Sequence, residues 1–374
     1  MQICICRIRV EYRTIEEWCE ILDSQRIPIT AKNRIEGPYP YYGANGIQDY
    51  VNDYIFDDEL VLLAEDGGNF GSKDRPIAYR VSGKCWVNNH AHVLKPKKGL
   101  DVDYLCYSLM FYNTNGLVNG ATRQKLTQST MRTMKIPCLE INEQQEIVQK
   151  IKKIESILND LNGQLELLDE LIKARFVEMF GDPVVNDKKW EIRYFGDLGE
   201  LKRGKSKHRP RNDPILLGGK YPLIQTGDVT NSNTYIKSYT STYSEEGLKQ
   251  SKIWKKGTLC ITIAANIAES AILTFDACFP DSVVGFTPNG EVISLFIHYW
   301  LSFLQPILEE NAPAVAQKNL NVATLEKVGV IVPPLELQNQ FASFVEEIDK
   351  SRLRELLAIK HIKLLLNDSW LLFY

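Results

Sequence analysis

Four blocks of the sequence occur twice in the same order, and this internal repeat constrains the possible fold more than any other feature. Each second copy follows its first by about 180–200 residues. The paired blocks are GPYPYYGANGI (37–47) with GKYPLIQTGDV (219–229), ELVLLAEDGGN (59–69) with GTLCITIAANI (257–267), GATRQKL (120–126) with PAVAQKNL (313–320), and MKIPCLEINEQQEIV (134–148) with GVIVPPLELQNQFASFV (329–345). We therefore expect two copies of one mixed α/β unit of about 130 residues, each followed by a helix.

The clearest single element is a long helix between Glu143 and Phe180, a stretch without proline. Eight apolar residues within it are spaced alternately by four and three residues, which is the heptad pattern of a coiled-coil seam. Gly-Asp-Pro at 181–183 is expected to end the helix, which is on the order of 55 Å long. The seam residues are Ile147, Ile151, Ile154, Leu158, Leu161, Leu165, Leu168 and Ile172.

A second helix, at about 337–366, repeats the pattern less regularly. Its stripe consists of Phe341, Val345, Ile348, Leu356 and Ile359, with Arg352 as an interruption. Because a globule of this size cannot cover so long a helix, we expect the two helices to pair with each other. The predicted fold is α+β, with two similar mixed α/β domains separated by an antiparallel coiled coil and related by a pseudo-two-fold axis. The predicted segments are domain 1 (1–139), the first helix (140–182), domain 2 (183–335) and the second helix (336–374).

Composition excludes several other classes of protein. No stretch approaches the roughly 18 apolar residues of a membrane span, and the first residues do not resemble a signal peptide, so we expect a cytoplasmic location. The eight cysteines show no CxxC spacing, which favours reduced, buried thiols over a zinc site. His90 and His92 share one face of a predicted strand, and we expect them to be structural or DNA-facing. The net charge of −3 neither indicates nor excludes a local nucleic-acid surface.

A basic loop lies near the start of the second copy. Its ten residues, 202–211, contain six lysines and arginines and no acid, so the loop could contact the phosphate backbone of DNA, with an ordinary solvated loop as the alternative. GELKRGKS at 199–206 also matches the phosphate-loop pattern of nucleotide-binding proteins, but Pro210 disfavours the helix that this motif requires. The candidate DNA-contacting residues here are Arg203, Lys205, Lys207, Arg209 and Arg211.

Matched loops in the two copies supply further candidates. Asn69 and Asn266 follow a strand in both copies and could read adenine edges, with a tight turn at positive φ as the alternative. The matched Gln-Lys segments could contact DNA or could be the polar start of a helix. The candidates in these loops are Asn69, Arg123, Gln124 and Lys125 in the first copy and Asn266, Gln317 and Lys318 in the second.

Catalytic signatures are missing from the sequence. The chain has no polar-Pro-Pro-aromatic loop of an amino-methyltransferase, and the Pro-Asp at 280–281 lacks the Glu-x-Lys sequel of a nuclease. No Ser-His-Asp or Cys-His pattern stands out either. The sequence therefore predicts a subunit without a catalytic centre of its own.

Taken together, these features resemble the specificity subunit of type I restriction-modification systems. The resembling segments are IPCLEINEQQEIV (136–148), FVEMFGDP (176–183) and VPPLELQNQF (332–341), together with the Gly-x-Tyr-Pro and Gln-Lys blocks. The resemblance implies two target-recognition domains that each read one half of a bipartite DNA site, and long helices that set the spacing and dock two methyltransferase subunits. It further implies that this chain binds no cofactor, because S-adenosylmethionine, ATP and Mg²⁺ belong to the methyltransferase and restriction subunits.

Two other functions are compatible with parts of the sequence. A coiled-coil interaction or scaffold protein would have the long helices without DNA specificity. A stand-alone nucleotide-using enzyme would depend on residues 199–206 alone.

Overall fold

The computed structural model describes residues 11–120, 123–264, 266–310 and 320–370, with side chains described up to residue 365. Contacts divide the chain into unit 1 (Met1–Asn162 with Leu356–Tyr374) and unit 2 (Gly163–Glu355). This division differs from the predicted segments, because the long helices do not form segments of their own. The first helix contributes Val148 and Ile151 to a core of unit 1, and Ile172 and Phe176 to a core of unit 2.

Unit 1 is built on a six-stranded sheet with the strand order β2-β7-β5-β6-β3-β4, and β1 pairs separately with β8. Neighbouring strands of the main sheet are antiparallel, except that β3 and β6 are parallel. The elements are β1 (Glu11–Thr14), α1 (Ile15–Trp18), β2 (Cys19–Ile21), β3 (Tyr39–Gly43), β4 (Gly46–Val51), β5 (Phe56–Ala64), β6 (Ala78–Val87), β7 (Ala91–Pro96), α2 (Val102–Met110), α3 (Gln128–Thr133), β8 (Lys135–Cys138) and α4 (Ile141–Phe180).

The central strand β5 shows why one of the repeated blocks is a continuous apolar run. Val61 and Leu63 lie in the core cluster that also contains residues of α2, whereas Leu60 and Leu62 lie in a second cluster. Successive side chains of a strand point to opposite faces, so these two clusters lie on the two faces of the sheet. A strand buried on both faces needs apolar residues at every position instead of at alternate ones.

Unit 2 contains a five-stranded sheet with the order β10-β16-β14-β15-β12, and the pairs β11–β13 and β17–β9 lie outside it. The elements are β9 (Ile192–Tyr194), β10 (Gly199–Arg203), β11 (Leu217–Leu223), α5 (Thr226–Thr230), β12 (Tyr235–Ile236), β13 (Ser241–Tyr243), α6 (Glu245–Lys249), β14 (Leu259–Thr262), β15 (Ser270–Leu273), β16 (Val283–Pro288), α7 (Ser294–Glu310), α8 (Val322–Glu326), β17 (Gly329–Ile331) and α9 (Leu335–Trp370).

The two units repeat one arrangement of strands. The row β2-β7-β5-β6 of unit 1 corresponds to β10-β16-β14-β15 of unit 2; both rows are antiparallel and end on a parallel neighbour, β3 or β12. The Gly-x-Tyr-Pro strands also match, since Tyr42 of β3 pairs in parallel with Val87 and Leu223 of β11 forms a parallel bridge with Cys278. The predicted duplication is thus confirmed.

The long helices confirm the predicted class of fold. α4 ends as expected at Gly181, which has φ +77° and donates its N–H to the carbonyl of Val177 at 2.8 Å. Within unit 2 the two helices run antiparallel, because Phe176 packs on Phe341 with ring centroids 5.4 Å apart, while Asp169, earlier in α4, pairs with Arg352, later in α9. The chain therefore has an α+β fold with two sheet-containing units and two long helices.

The seam positions differ in burial from the apolar residues beside them. The eight seam residues of α4 are all buried or half-buried, whereas Leu167 is 62% exposed. In α9 the prediction for Leu356 is wrong, because this side chain is 48% exposed and Arg352 is 8% exposed. Heptad steps from Ile348 lead to Arg352 and not to Leu356, so the register places the arginine in the seam.

Two expectations from composition concern membranes and thiols. Among the described helices, none is apolar over a length that would cross a lipid bilayer. The described cysteines are free thiols, and burial raises the pKa of the Cys19 and Cys106 thiols to about 12. Thiols with such pKa values are protonated and unreactive at neutral pH.

Candidate nucleic-acid interface

Two loops that are distant in sequence meet where β5 of unit 1 ends. The N–H of Leu126 donates to the carbonyl of Glu65 at 2.7 Å, and the N–H of Gly67 donates to the carbonyl of Gln124 at 3.2 Å. The β3–β4 hairpin joins them, since Asn45 donates its side-chain amide to the carbonyl of Gly67 at 3.0 Å. The structure therefore brings the predicted residues of unit 1 to one edge of the sheet. These are Asn69, Arg123, Gln124 and Lys125.

The cations at this edge are exposed but already have carboxylate partners. Arg123, with 60% of its side chain exposed, lies 2.9 Å from Asp66, and Lys125, with 50% exposed, lies 3.0 Å from Glu65. The carboxylate partners are less exposed, with 20% of the Asp66 side chain and 12% of the Glu65 side chain accessible. The exposed parts of both cations could contact a phosphate group while these ion pairs persist, and Gln124 is exposed beside them.

A buried ionic cluster lies behind this edge. His92 is fully buried; its Nε2 lies 2.9 Å from the carbonyl of Leu126 and its Nδ1 lies 2.7 Å from Asp23. Both ring nitrogens of His92 therefore lie within hydrogen-bonding distance of an oxygen acceptor. Burial opposes ionisation of Asp23, but its hydrogen bond with His92 keeps the pKa of the carboxyl below its usual value. Through Leu126, His92 holds the Gln-Lys segment in place.

Asp23, Glu65 and His92 are side chains that could hold a metal ion, and their ligand atoms lie close together. Here their charges are balanced by protein groups instead. Arg26 lies 2.6 Å from Glu65 and 3.5 Å from Asp23, and Lys125 also contacts Glu65. These cations occupy the space around the carboxylates that a metal ion would need. His92 is therefore structural, one of the two roles expected for it.

Unit 2 closes the matched loop in the same way, because the N–H of Leu320 donates to the carbonyl of Ile263 at 2.9 Å. Asn266 is exposed in the β14–β15 loop, and its side-chain amide lies 3.4 Å from the hydroxyl of Thr230. Gln317 and Lys318 lie outside the described residues.

Both matched loops contain residues at positive φ. These residues are Gly67 and Gly71 in unit 1 and Ala268 in unit 2, and Asn69 is not among them. The half-buried Asn69 donates to the carbonyl of Pro76 at 3.5 Å, a long contact. The loops therefore do contain turns at positive φ, as the alternative expects, but Asn69 is not the residue that adopts this conformation.

Two arginines of the basic loop of unit 2 pair with an acid from elsewhere in the chain. Asp281 lies 2.6 Å from Arg211 and 3.6 Å from Arg209, and its carbonyl accepts a hydrogen bond from Arg203 at 2.9 Å. Gln250 fixes the loop by accepting the N–H groups of residues 207 and 208 at 2.8 and 2.7 Å. Lys205 and Lys207 are exposed. The loop is thus attached to the rest of unit 2 at several points, while its cationic side chains are exposed to solvent.

The phosphate-loop pattern at 199–206 does not have the required structural context. Its first residues form β10 itself (Gly199–Arg203), whereas the motif needs a strand before the loop. No helix follows Lys205, because residues 204–213 contain neither helix nor strand. Backbone N–H groups of a helix start are therefore not available to a phosphate group at this place.

Sequence reasoning missed the acidic and amide partners of both candidate surfaces. Each of these residues pairs with a group more than forty residues away in the sequence, which the folded chain brings close. They are Glu65, Asp66, Gln250 and Asp281. The repeat could have indicated Glu65, since it follows the matched strand directly. No local signal links Asp281 to Arg211.

Comparisons with known proteins agree with this architecture. A family model described as a type I restriction modification DNA specificity domain matches residues 8–168 and 187–361. A Haemophilus influenzae protein named as a putative type I restriction enzyme specificity subunit is 28% identical over 353 residues, covering 91% of this chain and 88% of that protein.

Two solved structures share the fold. The chain resembles the S subunit of a type I restriction-modification system from M. genitalium with a TM-score of 0.53 and 15% identity, over 98% of this chain and 96% of that one. It resembles a chain from a study of complex assembly and conformational transition of the type I system with a TM-score of 0.61 and 14% identity, over 95% of each chain.

Proposed function

The chain belongs to the type I restriction modification DNA specificity domain family, and on this premise we propose that each of its two units reads one half of a bipartite DNA target. The family is defined by DNA specificity and not by a catalytic activity, which agrees with the prediction from the sequence that the chain has no catalytic centre of its own. The observation that supports the bipartite target is the duplication: the same antiparallel row of strands occurs in both units, and the family model matches each copy. Two equivalent readers suit two separate half-sites.

In unit 1 the proposed reading edge is the one formed by the loops 65–70 and 123–126. Gln124 and Asn69 offer amides of the kind that pair with adenine, and Arg123 and Lys125 offer cations for phosphate or guanine. The backbone bonds between the loops hold these groups on one surface. The corresponding groups proposed for unit 2 are Arg203, Lys205, Lys207, Arg209, Arg211, Asn266, Gln317 and Lys318.

We propose that the long helices set the distance between the two half-sites and bind partner subunits. Apolar residues outside the seam are exposed on both helices, a pattern that is typical of an interaction surface. They include Leu167, Leu171 and Leu353 in unit 2 and Leu356, Leu357 and Leu364 in unit 1. Two methyltransferase subunits are the proposed partners there, with restriction subunits completing the assembly. S-adenosylmethionine, ATP and Mg²⁺ would be bound by those partners, and the chain would act in the cytoplasm, where the DNA is.

Binding to duplexes with one altered half-site tests the assignment of reading residues. In the purified complex with the methyltransferase, the double variant Arg123→Ala/Gln124→Ala should lower discrimination at one half-site by about tenfold or more and leave the other half-site unchanged. Lys153, an exposed lysine of α4, provides the control variant Lys153→Ala. Equal losses at both half-sites, or no loss at either, would contradict the proposed edge.

A further inference from the structure

Each long helix begins with a fully buried glutamine. Gln144 is the fourth residue of α4 and Gln338 is the fourth residue of α9, and both are 0% exposed. Their neighbours Gln145 and Gln340 are exposed. A buried side-chain amide is costly unless its donors and acceptor are satisfied, so the burial of both glutamines requires an explanation.

The two amides make the same three hydrogen bonds. The side-chain oxygen of Gln144 accepts the N–H of Asp101 at 2.8 Å, and its nitrogen donates to the carbonyls of Gly99 and Leu139, each at 2.9 Å. Asp101 caps the start of α2, and Leu139 joins β8 to α4. One amide therefore holds together the start of the long helix, the start of α2 and the end of the preceding strand.

Gln338 repeats this arrangement in unit 2. Its oxygen accepts the N–H of Ile293 at 3.0 Å, and its nitrogen donates to the carbonyls of Glu291 at 3.1 Å and Pro333 at 2.8 Å. Ile293 directly precedes α7, which is the counterpart of α2. Pro333 lies between β17 and α9, as Leu139 lies between β8 and α4. The same residue type thus makes the same bonds at the same position of both copies.

Only a side chain with an acceptor and two donors at the end of a flexible stem can make these three bonds. Glutamate offers no donor when ionised, and methionine, which has a similar shape, offers no donor and only a weak sulfur acceptor. Loss of the amide would leave three backbone groups without their partner, each at a cost comparable to a lost hydrogen bond. The bonds therefore fix the direction in which the long helix leaves the sheet of its own unit.

We propose that Gln144 and Gln338 are positioning residues, which set the angle between each reading unit and its helix and thereby the spacing of half-sites that the protein accepts. This inference rests on the proposed function. A change of one base pair between half-sites moves them by about 3.4 Å and rotates them about the DNA axis. If the helix start is held firmly, the protein should bind DNA with an altered gap poorly. If the helix start is loosened, the protein should bind such DNA more readily.

The test measures methylation of duplexes whose half-sites keep their sequence while the gap is natural, one base pair longer or one base pair shorter. The wild-type complex with the methyltransferase should prefer the natural gap. In the double variant Gln144→Met/Gln338→Met this preference should fall about tenfold, because methylation of duplexes with an altered gap should rise relative to methylation of the duplex with the natural gap. Gln145→Met/Gln340→Met changes exposed glutamines of the same helix turns and should keep the wild-type preference.

Backbone hydrogen exchange separates positioning from folding. In the methionine variants, exchange at the amides of Asp101 and Ile293 should accelerate while the central strands β5 and β14 keep their protection. If the methionine variants do not fold, Gln144→Asn and Gln338→Asn, whose amides are one methylene shorter, should still lower the gap preference below that of the wild-type complex.

Two results would overturn the inference. One is an unchanged gap preference in folded variants, and the other is a loss of methylation that is equal at all gaps. If the wild-type complex itself showed no dependence on half-site sequence, the proposed function would fail as well, which is a separate outcome.

Discussion

Buried ionisable side chains give individual residues a measurable effect on stability. His298 of α7 is buried, and Ser270 contacts its Nδ1 at 3.0 Å. Burial lowers the pKa of His298 to about 4. The unfolded chain therefore takes up a proton on this side chain near pH 6.5, whereas the folded chain does not, so stability is lost as the pH falls from about 6.5 towards 4.

The variant His298→Asn should flatten this dependence, because an asparagine amide can keep the contact with Ser270 and does not titrate. Urea unfolding at pH 7.5 and pH 5 should show that the wild type loses about 2 kcal/mol more than the variant at the lower pH. His361, exposed on α9, supplies the control His361→Asn, which should lose stability as the wild type does. Equal pH dependence in all three proteins would contradict the assigned burial effect.

For individual residues, the sequence predicts which loops carry the polar side chains, but it does not predict which charged residues pair with them. The repeat singled out Asn69 and Gln124, and the structure brings their loops together. The partner of Arg211 could not be predicted, because Asp281 follows it by seventy residues and meets it only when the strands of unit 2 pair. Ion pairs are set by tertiary contacts, and a single sequence does not encode them locally.

The two long helices differ at one matched position of their seam. Leu158 in α4 and Arg352 in α9 follow Gln144 and Gln338 by the same fourteen residues. Arg352 is buried and pairs with Asp169 of α4, and its Nε is buried without a hydrogen-bond partner in the described structure. A charge at one seam position is compatible with one register of the helix pair and disfavours others.

Removing the two members of this pair should have unequal effects. Asp169→Asn leaves a buried cation with less compensation and should lower the free energy of unfolding by about 1–3 kcal/mol. Arg352→Leu introduces the residue type of the matched position and should be close to neutral or stabilising. Urea unfolding measures both variants, and Asp160→Asn, at an exposed position of the same helix, serves as the control. A larger loss for Arg352→Leu than for Asp169→Asn would contradict this explanation.

Elements with strong periodicity were predictable, and their irregularities were not. The long helix α4 and its end at Gly181 follow from heptad spacing and from glycine at the C-terminus. Leu356 was misplaced because hydrophobicity suggested a seam residue, whereas the register puts Arg352 there. The short strands of unit 2, such as β12 with two residues, carry too few positions for a period to be recognised.

For the whole molecule, the duplication underlies both the predicted fold and the proposed function. Two copies of one antiparallel row, each followed by a long helix, suit a protein that reads two half-sites and holds them at a fixed spacing. The strand order was not predictable, since it depends on which distant strands pair. The number of units was predictable, because the four repeated blocks keep their order.

The most direct test of the central claim is a map of methylated bases in the cell's DNA with the gene present, deleted and restored. A DNA specificity subunit predicts that one bipartite motif carries methyladenine, loses it on deletion and regains it when the gene is restored. If every methylated motif were unchanged by the deletion, the chain would not direct methylation in that cell, and its role as a reader of a bipartite DNA target would be contradicted.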